Sequence, residues 1–287
     1  MELLSALETI RSPILDIIFS YITVLGEETV VITLLCLVYW CADKHSAYLV
    51  GLTFFISGLL VQGMKIGFRI DRPWIIDPSL KPVESAIPAA TGYSFPSGHT
   101  QSAVALFGSM AMRLKRISVK IACIVIIILV AFSRMYLGVH TLLDVGVSLI
   151  ITALVVVIIS KLLSGESVDK KRAQFLAVSV VVCSIIVIVV ASLFYSSGTI
   201  EQAYLTDCLK AAGASIGFAI GMYIERIYID FSVKTRGIQW QVVKYAIGIT
   251  GVLLIKEGLK LVFGTGLVID TVRYFLISTW VSVFFPL

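Results

Sequence analysis

Charge is what this chain has least of: Asp, Glu, Lys and Arg make up 14% of its 287 residues, against about 25% in a soluble domain. With 58% hydrophobic residues, that shortage excludes a soluble globule. Repeated apolar runs of about twenty residues cannot all be buried in one water-soluble core. Alternation of apolar and polar residues over strand-length segments is also missing, so the spans are expected to be helices rather than barrel strands. The N-terminus, MELLSALETIRSPILDIIFSYITVLG, lacks the basic flank and small-residue cleavage site of a signal peptide and carries Glu2 and Glu8 instead. It reads as an interfacial or partly inserted helix over 1–25, with a full span as the alternative. Cys36, Cys41, Cys123, Cys183 and Cys208 show no CxxC spacing and no pairing with histidine, which argues against a disulfide framework or a metal site. Low-complexity tracts and internal repeats are absent too. The net charge of +5 says little about partners, and nothing points to nucleic acid.

What is present is an all-α pattern. Apolar runs place helices at 26–41, 46–68, 97–113, 119–139, 140–162, 173–195, 209–230, 241–262 and 268–285, a polytopic membrane helical bundle. The segments 113–120, 161–172 and 225–244 each carry four Lys or Arg and fall on one side if every run spans. The positive-inside rule makes that side cytoplasmic and places the protein in the cell membrane. The opposite, outer side then receives 69–96 and the turn near 135–141. Within 209–230, Gly213, Gly217 and Gly221 form a stripe at spacing four. Such a stripe serves either a homodimer seam or close packing inside one chain.

Three clusters carry chemistry toward the outer side. In KIGFRIDRP, Lys65 and Arg72 stand two helical turns apart and can share a face, with Pro73 ending the helix; snorkelling to headgroups is the alternative use. In YSFPSGHTQSA, Pro96, Ser97 and Gly98 form a turn opening a helix. Free N–H groups there favour an anion, and glycine lets a phosphate come close; His99 sits beside that site. In SRMYLGVHTLLDV, His140 and Asp144 are spaced i, i+4 on one helix face. A carboxylate holding one ring nitrogen leaves the other free to attack. Arg134 precedes a turn at Gly138 and can enter the same space. A structural Arg–Asp pair with a satisfied histidine would account for this third cluster alone. Together, three cations, an amide-rich helix start and two histidines suit phosphoester hydrolysis: cations on the phosphoryl oxygens, one histidine attacking, the other protonating the leaving group. No metal ligand set is visible, and the fixed cations stand where Mg²⁺ often acts.

The clusters resemble the signature of the type 2 phosphatidic acid phosphatase superfamily, the lipid phosphate phosphatases: KxxxxxxRP, then PSGH, then SRxxxxxHxxxD. Lys65 to Pro73, Pro96 to His99 and Ser133 to Asp144 match it at every defined position and in order. The resemblance implies a metal-independent hydrolase without cofactor, with a phosphohistidine on His140 oriented by Asp144. His99 is then the acid and later helps to activate water. Lys65, Arg72, Ser97, Gly98 and Arg134 hold the phosphate. It also implies a six-helix core, over 26–195. The remaining 196–287 is an accessory extension of two to three transmembrane helices in which nothing looks catalytic; substrate shaping, lateral gating and dimerisation are all open to it.

The expected substrate is a membrane lipid phosphate or diphosphate, such as undecaprenyl diphosphate, phosphatidate or phosphatidylglycerol phosphate. A sugar-phosphate phosphatase resembling glucose-6-phosphatase is the rival reading. A non-catalytic lipid transporter is less favoured, because transport does not require a His–Asp pair beside three phosphate-binding cations. Trp74, Tyr93 and Phe95 border the site loop, either as headgroup contacts or as part of the interfacial aromatic belt.

Overall fold

The structure is a computed structural model that describes residues 1–164, 169–234 and 237–286. It is all-helical, with no strand among the described residues. Two short helices open the chain, α1 (Glu2–Thr9) and α2 (Pro13–Val24), followed by α3 (Glu28–Cys41) and α4 (Lys44–Phe68). Helix α5 covers 98–113, with a π-turn at Val104–Gly108 in its middle. Then come α6 (Ile117–Tyr136), α7 (Leu142–Leu162) and α8 (Lys170–Ser196). Three more follow: α9 over 202–229, α10 over 238–263 and α11 over 267–284.

All nine expected helices are present, and the largest boundary difference is α9, which begins at Gln202 rather than 209. Among the described residues, five helices are long and apolar enough to cross a membrane by themselves, while α2 and α3 together form a sixth candidate bent by 45°. The N-terminus is therefore two short pieces, each too short to span alone. Leu4 and Leu7 of α1 pack on Ala131, Met135 and Val145, so α1 lies against the ends of α6 and α7. The bend between α2 and α3 falls at Gly26, where a Cβ would press on the backbone carbonyl of His99.

Two expectations about helix ends are corrected. Pro73 does not end α4. That helix stops at Phe68 because Arg69 takes a left-handed conformation with φ 51°, and Pro73 instead opens a single turn, Pro73–Ile76, at its first position. Lys65 and Arg72 therefore share no helix face. His140 is likewise outside α7, which begins at Leu142 behind a capping box formed by Thr141 and Asp144.

Helix α4 runs through the centre, with Leu49, Val50, Leu52 and Leu59 almost wholly buried. The three C-terminal helices are packed into the bundle rather than appended: α9 lies directly on α4, α10 packs on α3, and α11 packs on α9. Phe218 of α9 lies where a Cβ on Gly51 would be. The glycine stripe is used inside the chain: Cβ atoms at Gly213, Gly217 and Gly221 would collide with Thr271, Phe275 and Ser282 of α11, so the stripe is filled by an intramolecular neighbour. At the far end from the sequence clusters, the Lys44 ammonium pairs with Glu225 at 3.0 Å and with Asp230. Tyr48 Oη also donates to Glu225, whose side chain is fully buried. Replacing Glu225 by Ala strands the buried Tyr48 hydroxyl and leaves the Lys44 ammonium with only Asp230 and the Phe231 carbonyl. We expect a loss of roughly 3 kcal/mol, read as a lower thermal midpoint of the purified protein.

Candidate active site

The eight candidate residues come from five places in the chain. Lys65 lies in the last turn of α4, and Arg72 is the N-cap of the turn Pro73–Ile76. Ser97, Gly98 and His99 open α5, Arg134 is in the last turn of α6, and His140 and Asp144 flank the start of α7. Lys65, Arg72, Gly98, His99, Arg134 and His140 line one cavity of about 370 Å³. Ser97 and Asp144 stand behind its wall as supports.

Local geometry explains the convergence. Gly138 adopts φ +76°, which reverses the chain after α6 and presents His140 back toward Arg134. A Cβ at Gly138 would also strike the Arg11 guanidinium and Pro82, so the turn is closed over by N-terminal residues. Arg11 secures it, its Nε donating to the Tyr136 carbonyl at 2.9 Å. Ser97 caps α5, its Oγ accepting from Thr100 N at 3.5 Å and from Thr100 Oγ1 at 3.0 Å. The N–H groups of the first turn have no partner inside a helix, and nothing lies within 4 Å of where a Gly98 Cβ would be. Glycine thus leaves an open approach to a helix N-terminus, where an anion is favoured.

The hydrogen bonds around His140 determine its tautomer. Arg72 Nη1 lies 2.9 Å from His140 Nε2, and a guanidinium can only donate. Nε2 is therefore the acceptor and Nδ1 carries the proton, 3.4 Å from Asp144 Oδ2. That carboxylate oxygen also accepts from Ser94 Oγ at 2.6 Å and from Thr141 N at 2.7 Å. Burial, reinforced by Arg72, Arg134 and Lys65, pushes the His140 imidazole well below its usual range. It is neutral, with its Nε2 lone pair held by Arg72 at the cavity wall.

The cations differ in how far they are engaged. Arg72 is 4% exposed and bonds to the Thr91, Gly92 and Val139 carbonyls at 2.7, 3.0 and 3.0 Å. It ties the loop before α5 to the turn before α7. Lys65 Nζ donates to the Tyr93 carbonyl. Arg134 is wholly buried, with Nη1 on Thr23 Oγ1 at 2.8 Å. Its Nε and Nη2 have no hydrogen-bond partner among the described residues, and neither does His99 Nε2. Unpaired buried guanidinium donors are costly, and such donors suit the oxygens of an anion.

Ser94 and Thr23 were not anticipated from sequence, and neither were the contributions of α9. Tyr204, Asp207, Ala211, Ala214 and Ser215 of that helix line the same cavity. The sequence left substrate shaping, lateral gating and dimerisation open for the extension; α9 forms part of the cavity wall. The three aromatic residues bordering the site loop have partners within the chain. Tyr93 stacks on Tyr204 at 4.1 Å, Phe95 meets Phe68 at 5.2 Å, and Trp74 lies 6.0 Å from the Arg72 guanidinium.

Comparison with known families gives two matches. The family described as PAP2 superfamily matches residues 46–167, and that described as PAP2 superfamily phosphatase, transmembrane extension, matches residues 209–287. No curated protein and no solved structure gives a significant match.

Proposed function

Since the chain belongs to the PAP2 superfamily of type 2 phosphatidic acid phosphatases, we propose that this membrane phosphatase hydrolyses a lipid phosphate or diphosphate without a metal, through a phosphohistidine on His140. The observation that carries the reading is the His140 contact pair. Nε2 faces the cations at 2.9 Å from Arg72, and Nδ1–H is held toward Asp144.

The chemistry follows from those positions. Arg72 releases Nε2 as phosphate enters and pairs with a phosphoryl oxygen. Lys65, Arg134 and the N–H groups at Gly98 and His99 take the remaining charge, which grows on the equatorial oxygens in the transition state. Nε2 attacks phosphorus, and the P–O bond to the leaving group breaks. His99, its protonated form favoured by the phosphate charge, gives its proton to the leaving oxygen. Asp144 stabilises the imidazolium as Nε2 becomes bonded. Water then enters, its oxygen bonds to phosphorus as His99 takes one of its protons, the P–N bond breaks, and His140 returns neutral with inorganic phosphate released.

An integral-membrane site close to helix ends fits an amphiphilic substrate reaching it from one leaflet. The distribution of Lys and Arg supports a reading in which these helix ends face the outer side of the cell membrane. The test is phosphate release in nanodiscs from a panel of isoprenyl diphosphates, phosphatidate, phosphatidylglycerol phosphate and sugar phosphates. Turnover is expected to survive EDTA and to be blocked by micromolar-range vanadate. A requirement for added Mg²⁺ would reject the metal-free mechanism, and preference for sugar phosphates would reject the lipid.

A further inference from the structure

The phosphate cavity does not end at its polar wall. A second, apolar cavity of about 130 Å³ adjoins it, and Glu28, Thr29, Phe55 and Ala214 belong to both linings. The second cavity lies between α3, α9, α10 and α11, walled by Cys36, Phe218, Val252, Ile277 and Val281. Its direction follows from the helices that line it. On α9, the phosphate cavity is lined from Tyr204 to Ser215 and the apolar one continues from Ala214 to Phe218. On α3, Glu28 and Cys36 are about 12 Å apart. The apolar cavity therefore descends from the reaction centre toward the middle of the bilayer.

Its floor is built. Trp40 Nε1 donates to the Val281 carbonyl at 3.0 Å, and Trp280 Nε1 donates to the Gly248 carbonyl at 3.1 Å. The two indoles occupy the places where Cβ atoms on Gly248 and Gly251 would be. These rings fill the space between α10 and its neighbours below the cavity.

We propose that this apolar cavity holds the hydrocarbon chain of the substrate, and that α10 and α11 supply its outer wall. The proposal rests on the phosphatase reading, because the occupant is the chain esterified to the phosphate at His140. A cationic cavity opening into an apolar one suits an amphiphile with phosphate at one end. Glu28, Thr29, Thr33, Lys256 and Ser278 also line it, but a sugar or other polyol would leave the hydroxyls that face Val252, Ile277 and Val281 unpaired. The arrangement also gives the C-terminal helices a use: with α9 they complete the binding site, where α3 alone would leave one side of the chain in lipid.

The test compares kcat/KM for octyl phosphate and ethyl phosphate in nanodiscs, for the wild type and for Ile249→Trp, which narrows the cavity from α10. Partition of octyl phosphate into the bilayer is common to both proteins and cancels between them. Each buried methylene is worth up to about fourfold, so the octyl-to-ethyl ratio is expected to fall at least tenfold in the variant. An unchanged ratio overturns the proposal. A second measurement needs no variant: a decylphosphonate carrying a terminal diazirine is photolysed with the wild type and the adducts are mapped. Labels on 249–256 and 274–281 that excess decylphosphonate removes are expected, and their absence overturns the proposal. If the wild type hydrolyses neither ester, the phosphatase reading falls, and the phosphonate labelling still reports on the cavity.

Discussion

His140→Ala is expected to reduce phosphate release by roughly 10⁴-fold or more while leaving the protein folded. The large effect follows from the loss of the only group placed to form a bond to phosphorus in the proposed reaction. No neighbour can substitute: Arg72 and Arg134 are not nucleophiles, and His99 sits at the start of α5 on the leaving-group side. Folding should survive because the surrounding bonds do not depend on the imidazole. Asp144 keeps Ser94 Oγ and Thr141 N, and Arg72 keeps its three backbone carbonyls. The readout is phosphate release from a lipid phosphate, alongside an unchanged chromatographic profile and thermal midpoint. Turnover by the variant within tenfold of the wild type would remove His140 from the nucleophile role. Its loss should also abolish an acid-labile, alkali-stable label transferred from ³²P-substrate, the behaviour of a P–N bond.

How much of this was legible in the sequence differs between fold and site, for physical reasons. The helices could be read because lipid leaves the backbone no other means of satisfying its hydrogen bonds, so each apolar run had one available structure. Helix ends near the site were less legible. Arg69 in a left-handed conformation and the Thr141–Asp144 capping box are local backbone events, and they moved Arg72 and His140 off the helices expected to carry them. The charged candidates stood out because buried charge in a membrane protein is expensive. Ser94, Thr23, Tyr204 and Asp207 did not stand out. They are common residue types whose meaning comes from what the fold sets beside them: the Asp144 carboxylate, the Arg134 guanidinium and the wall of the cavity. The glycine stripe lay between these cases. Spacing four showed that something packs closely there, but only the path of the chain shows that the neighbour is α11.

His99→Ala separates the two halves of the proposed reaction, and its effect should depend on the leaving group. An alkyl phosphate leaves as a poorly stabilised alkoxide, so loss of the acid is expected to cost about 10²–10⁴-fold. A nitrophenyl phosphate leaves as a stable phenolate and needs no proton, so its first step should be nearly unaffected. The second step still needs His99 to take a proton from water. The nitrophenyl ester should therefore give a rapid burst of phenolate, close to one equivalent per active site, followed by slow turnover. The burst is informative because a merely structural role for His99 would slow both esters alike and leave no phosphorylated enzyme. The position supports the separation: His99 Nε2 has no partner among the described residues, and its backbone N–H, which serves the phosphate, remains in the alanine variant. Equal losses with both esters, and no burst, would assign His99 to packing at the start of α5. The proton would then have to reach the leaving oxygen through water.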